Sequence, residues 1–313
     1  MKINMTQGSI KTLEVFCDTI KTAMEAIYET DYKVVIKKVN KNNSMELTGI
    51  TISNNSNKEN ITPIIYLNGF YEDYQNGTSL EKICKEITFL YENNKITFDI
   101  NCVTDFEKVK NNICYKIINT EKNRKLLENT PHIEIEDLSI VFYILIDNKK
   151  DIGDIGSVTI KNDMLNYWNI GIRDLKKIAF NNTQNKLKAS INSMRDTLLE
   201  LTTEDIGDEI INFVDENRMP IYVCSNNKRI NGASVILYKG LLKSFSDKLN
   251  SDFYILPSSI HEIILIPANI EIKVKHLKEM VKDVNTFQVA EEDILSDNVY
   301  YYNRLTNKIS IAQ

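Results

Sequence analysis

The sequence predicts an α+β fold, on three observations. Residues 9–29 carry apolar positions at a 3.6-residue spacing, short β-type runs follow, and from Pro131 onward short β runs and helical segments intermingle. Grouped strands and grouped helices, rather than strict β-α alternation, belong to the α+β class. No period of 20–50 residues recurs, which excludes a solenoid or propeller. The expected organisation is an N-terminal helix/meander/helix lobe over residues 1–130 and a larger mixed-sheet lobe with flanking helices over residues 131–313, either separate or merged into one unit.

In order along the chain, Ile10, Leu13, Val15, Phe16, Ile20, Ala23, Met24 and Ile27 carry the 3.6-residue spacing of the first helix. Strands are expected at Lys33–Val39, Glu46–Ser53 and Pro63–Leu67 as an antiparallel meander, the last two joined through the Asn/Ser-rich Asn54–Asn60. Ser79 caps a helix running through Tyr91. Phe106–Leu127 reads as a second helical region bent or divided near Asn119-Thr120. Leu138–Ile146 is almost continuously apolar, the mark of a strand covered on both faces. A short strand at Ser157–Ile160 precedes helices at Asn162–Trp168, Arg173–Phe180 and Lys186–Leu201. Further strands are expected at Ile221–Cys224, Ala233–Tyr238, Phe253–Leu256, His261–Ile266, Val299–Tyr302 and Ile309–Ala312, with helices at Lys239–Leu249 and Val274–Phe287. Asn226–Asn231 and Asn303–Asn307 read as hairpin turns.

Composition narrows the function classes. The 313 residues are 42% hydrophobic and 26% charged, ordinary for a soluble globular chain, and the net charge of −5 gives no global attraction to phosphate backbones. Lys33, Lys37, Lys38 and Lys41, and Lys116, Lys122, Arg124 and Lys125, are local basic clusters that read as solvated faces. The five cysteines (17, 84, 102, 114 and 224) are odd in number, widely spaced and without C-x-x-C, which suits reduced structural thiols in a cytoplasm. The first twenty residues lack a signal-peptide core, and no apolar run approaches the ~20 residues that span a bilayer, so no membrane association is expected.

The densest collection of chemical side chains is Ser251–Pro267, SDFYILPSSIHEIILIP. Ser258, Ser259, His261 and Glu262 are the candidate catalytic set, because a serine nucleophile needs a histidine in reach and a group to orient it. No G-x-S-x-G elbow surrounds either serine, and Leu265 occupies the place of the second His of H-E-x-x-H. A turn whose hydroxyls satisfy local backbone explains the same residues. His132, Glu134 and Glu136 alternate onto one strand face and are the candidate metal ligands, although a solvated edge strand gives the same pattern; no metal or other cofactor is expected. The H-x-E of nucleobase deaminases is present without its P-C-x-x-C partner. Neither a P-loop nor G-x-G-x-x-G occurs. Tyr71 and Tyr74, beside the Asn68-Gly69 turn, and Tyr300 and Tyr302, in the run Tyr300–Tyr302, are the candidate binding surface, since tyrosine combines contact area with a polar tip.

The runs PIIYLNGFYEDYQNG (Pro63–Gly77), TDFEKVKNNICYKIIN (Thr104–Asn119), YILPSSIHEIILIP (Tyr254–Pro267) and ILSDNVYYYNR (Ile294–Arg304) resemble the family labelled domain of unknown function 5688 across nearly the whole chain. Ser157–Thr183 is more distantly similar to domain of unknown function 1444. The resemblance implies a compact cytoplasmic bacterial protein and carries over no activity or catalytic residue. The reading favoured is a non-enzymatic binding protein acting through a protein partner or homo-oligomer rather than a small molecule. The alternatives are a hydrolase built on the Ser258/Ser259/His261/Glu262 segment and a nucleic-acid-associated accessory protein of a mobile element.

Overall fold

Helix α1 (Leu13–Tyr28) starts where Thr12 caps it, the threonine Oγ1 accepting the Val15 N–H at 3.3 Å. Its periodic residues Phe16, Cys17, Ile20, Ala23 and Met24 are buried. They pack against the meander β1 (Tyr32–Asn40), β2 (Glu46–Asn54) and β3 (Ile65–Tyr66), paired antiparallel in that order. Helix α2 (Asn68–Gln75) and helix α3 (Leu80–Asn93), the latter capped by Ser79, complete this core with Tyr74, Ile83, Ile87 and Tyr91. The computed structural model describes residues 10–55, 64–93, 103–147, 155–201, 220–257 and 259–313. The chain divides into two units: Met1–Val109 with Ile146–Gly156, and Lys110–Leu145 with Ser157–Gln313. The Asn54–Asn60 connection lies mostly outside the described residues.

Where one helical region was expected between Phe106 and Leu127, the chain makes a short helix α4 (Phe106–Val109), a strand β4 (Ile113–Asn119) and a short helix α5 (Arg124–Leu127). Strand β4 is buried on both faces, so it shows no period-2 alternation, and its apolar residues mimic a helix stripe. Strands β5 (His132–Ile135), β6 (Leu138–Asp147) and β7 (Ile155–Thr159) form its sheet, with β6 central and flanked by β4 and β5 while β7 also pairs with it. Leu138–Ile144 of β6 are all buried, as the apolar run requires. Helices α6 (Asn162–Trp168) and α7 (Ile172–Lys186) follow, and α7 covers the edge of β4. There the Thr183 hydroxyl accepts the Tyr115 N–H at 3.0 Å, which occupies a donor that an open sheet edge would expose.

The expected helix at Lys186–Leu201 is divided into strand β8 (Ala189–Ser193) and helix α8 (Met194–Leu201), because residues 189–193 pair with β9 (Tyr222–Asn226). Ala233–Tyr238, expected as a strand, is the 3₁₀ turn Gly232–Leu237, so Asn226–Asn231 is no hairpin. Helix α9 (Leu241–Leu249), strands β10 (Phe253–Leu256) and β11 (Ile263–Pro267), helix α10 (Val274–Phe287) and the hairpin β12 (Tyr300–Asn303)–β13 (Lys308–Ile311) complete the unit. The six-stranded sheet runs β13-β12-β10-β11-β9-β8. Every pairing with a described register is antiparallel, where a mixed sheet was expected. Helix α9 crosses from β9 to β10, two strands of the same direction separated by the antiparallel β11, so the crossover adds no parallel ladder. One face of this sheet buries Ile255, Ile263 and Leu265; on the other, Leu256 and Ile266 pack on Leu277 and Val281 of α10.

Cys17, Cys84, Cys114 and Cys224 are free and buried, and burial pushes the Cys114 thiol up to about 11 and Cys224 up to about 12. Thiolate is the reactive form. These four thiols are expected to resist alkylation at pH 8 in the native protein and to react fully in denaturant. Rapid native labelling of Cys114 or Cys224 would contradict their placement.

Candidate functional site

His261 does not open strand β11; it lies in a turn two residues before it. Ser259 closes that turn with its side chain, its hydroxyl accepting the His261 backbone N–H at 3.0 Å. Both imidazole nitrogens are engaged by protein. Nδ1 accepts the Asn231 N–H at 3.3 Å, and Nε2 faces Asp293 Oδ1 at 3.3 Å. Nδ1 as acceptor places the neutral ring's proton on Nε2, where it is donated to Asp293. The hydrogen bond to Asp293, opposed by partial burial, raises the His261 pKa above its ordinary 6.5. The surroundings are equally tied. The Ser225 hydroxyl donates to the His261 carbonyl at 2.7 Å, the Ile260 N–H to the Asp293 carbonyl at 2.8 Å, and the Ala233 N–H to the Ile260 carbonyl at 3.1 Å. Three stretches distant in sequence are thus fastened around one ring: Ser225–Ser234, Ser259–His261 and Asp293.

A second concentration of polar groups surrounds Asp137, in the tight turn between β5 and β6. Its Oδ2 accepts the Ser296 hydroxyl at 2.6 Å and the Asn298 amide at 3.0 Å; its Oδ1 accepts the Tyr300 hydroxyl at 2.6 Å. Ser296 and Tyr300 are buried, so this carboxylate satisfies donors that would otherwise be stranded. Burial, and after it the Asp137 carboxylate, push the Tyr300 hydroxyl pKa far up. Beside this network opens a polar cleft of about 580 Å³ in which Glu121, Glu134, Glu136, Asp137 and Asp297 face Lys122 and Arg124. Arg124 is tied to Glu121 through Nε at 2.7 Å.

The structure separates most of the residues singled out in the sequence. Ser258 lies outside the described residues. Ser259 and His261 are brought together through backbone, not through a hydroxyl–imidazole contact, and Glu262 is half-buried beside them. His132 and Glu134 approach at 3.9 Å, whereas Glu136 has left the strand for the turn, with φ 53°. Among the described residues no three His, Cys, Asp or Glu side chains gather as a metal-ligand group. Tyr74, Tyr300 and Tyr302 are core side chains, not a surface. Tyr71 and Tyr74 flank Phe16 at 5.4 and 5.6 Å between centroids, and Tyr302 stacks on Phe253 at 4.8 Å. Three consecutive tyrosines expose no ring on the inner face; Tyr301 on the other is half-buried and bonded to Asp252. Asp293, Asn231 and Asp137 escaped the sequence reading. Only Asp137 had a local signal, as the end of the I-E-I-E-D run.

A comparison with protein-family models matches residues 13–304 to a family of unknown function (DUF5688). The likeness of Ser157–Thr183 to a second family gains no support from it. No curated protein matches this chain, and no solved structure does. Among the described residues no helix is long and apolar enough to cross a membrane.

Proposed function

The chain belongs to the family of unknown function DUF5688, and from the geometry of its second unit we propose that it works by binding a protein partner rather than by catalysis. The observation that carries this reading is the engagement of both His261 nitrogens. A general base needs a lone pair aimed at the nucleophile's proton. Here the Nδ1 lone pair is taken by a backbone N–H and Nε2 by Asp293, so the ring acts as a fastener. This counts against the hydrolase alternative.

The partner's place is the cleft beside Asp137, where five carboxylates outnumber two cations. A basic segment, with Lys or Arg reaching the exposed Glu134 and Glu136, complements that charge and gains fast, specific association. The same reading places the protein in a bacterial cytoplasm, for which the buried free thiols speak. A photo-crosslinking residue at Glu134 is expected to give a discrete adduct with another protein in cells, and Glu136→Lys to abolish it. No adduct beyond that of a control crosslinker at Lys248 would overturn the reading. An adduct of twice the chain's mass would replace the basic partner with a second copy.

A further inference from the structure

We propose a second binding site, distinct from the Asp137 cleft: the groove along helix α7 takes a small organic molecule bearing two or more anionic groups, of the diphosphate type. The groove measures about 830 Å³, within the ~300–1,000 Å³ usual for small-molecule sites. Lys110, Lys177 and Lys239 line it, with Asp174 as its carboxylate.

Three lysines on one solvated helix face would mean little. These three come from separate elements: the turn before β4, the helix α7 itself and the turn before α9. Side-chain amides staple the two turns to the helix. The Asn182 amide donates to the Lys110 carbonyl at 2.7 Å and to the Ile113 carbonyl at 2.9 Å, and Gln184 Oε1 accepts the Lys239 N–H at 3.3 Å. Phe180, on the same helix, is stacked against buried Tyr115 at 4.3 Å between centroids, which fixes the groove wall. The lysine-bearing backbone is therefore preorganised, so a ligand orders little beyond the lysine side chains themselves. The lysine ammonium is a compact point charge with three donors and serves phosphate oxygens well. The adjoining amides of Asn181 and Gln184 supply neutral polar groups. On a chain of net charge −5 this concentration of cations is local, which favours a small anion over a long polyanion.

The test is calorimetric titration of the full chain with inorganic pyrophosphate at low salt. Saturable one-to-one binding is expected, weakened by about tenfold or more in Lys177→Glu/Lys239→Glu, the change expected for losing two partly exposed ion contacts. The exposed control Lys275→Glu is expected to bind like the wild type. Should the charge reversal disturb the fold, Lys177→Ala/Lys239→Ala is expected to weaken binding in the same direction, and the thermal melt shows which variant is sound. Absence of saturable binding by the wild type, or an undiminished affinity in both double variants, would overturn the site. Tighter, length-dependent binding of a single-stranded oligonucleotide that is lost in the same variants would also overturn it, in favour of an extended nucleic-acid surface.

Discussion

Leu265→Ala is expected to destabilise the second unit by ~2–5 kcal/mol, the usual cost of truncating a core aliphatic side chain. Leu265 is completely buried at the centre of β11, opposite Ile255 on one neighbouring strand and Tyr222 on the other. Its removal leaves a cavity that the strands on both sides cannot close, because each is held in register by its own ladder. Leu305→Ala supplies the control: that side chain is 92% exposed, and its loss is expected to change stability by no more than about 0.5 kcal/mol. Chemical denaturation measures both. A loss below about 1 kcal/mol at Leu265 would contradict the burial of the sheet face.

Gly232→Ala is expected to destabilise the same unit despite adding a single carbon. A Cβ at residue 232 would lie 2.1 Å from Ser225 Oγ, 2.2 Å from the His261 carbonyl oxygen and 3.0 Å from the Asn226 nitrogen. Two of these are backbone atoms in tied segments, so relief requires moving β9 away from the His261 turn. Overpacking of this kind costs roughly 1–3 kcal/mol and occasionally more. The consequence reaches past stability, since the displaced Ser225 hydroxyl and His261 carbonyl are bonded to each other and hold the turn that carries the imidazole. A wild-type melting temperature in Gly232→Ala would show that the turn yields freely.

Much of the fold is legible because local physics and tertiary packing agree there. Ser79 caps the helix that it announces, and Phe253–Leu256 pairs with Ile263–Pro267 as the two apolar runs demand. The failures share one cause. Residues 113–119, 189–193 and 233–238 are short stretches whose structure is decided by a partner distant in sequence: β6, β9, and the His261 turn against which Gly232 packs. Without that partner, a doubly buried strand and a helix stripe look alike. The site suffered more. His261 is conspicuous, but its meaning depends on Asp293, 32 positions away, and on one backbone N–H of Asn231. The tyrosines misled for the opposite reason. A strand buries every second ring when one sheet face is core, and Tyr300 and Tyr302 fall on that face with Phe253.

The central claim is that His261 is a fastener with both nitrogens occupied, and nitrogen-15 NMR of its side chain tests this directly. In the neutral ring the proton is expected on Nε2, with Nδ1 bare and shifted by the Asn231 N–H. The ring's titration is expected above 6.5, because the Asp293 carboxylate favours the imidazolium. A raised folded-state pKa contributes stability that is fully present below 6.5 and is lost as the pH climbs through the folded value. That pH-dependent part of stability is expected to disappear in His261→Gln. A ring protonated on Nδ1 with a free Nε2, titrating at or below 6.5, would contradict the account and return His261 to candidacy as a catalytic base.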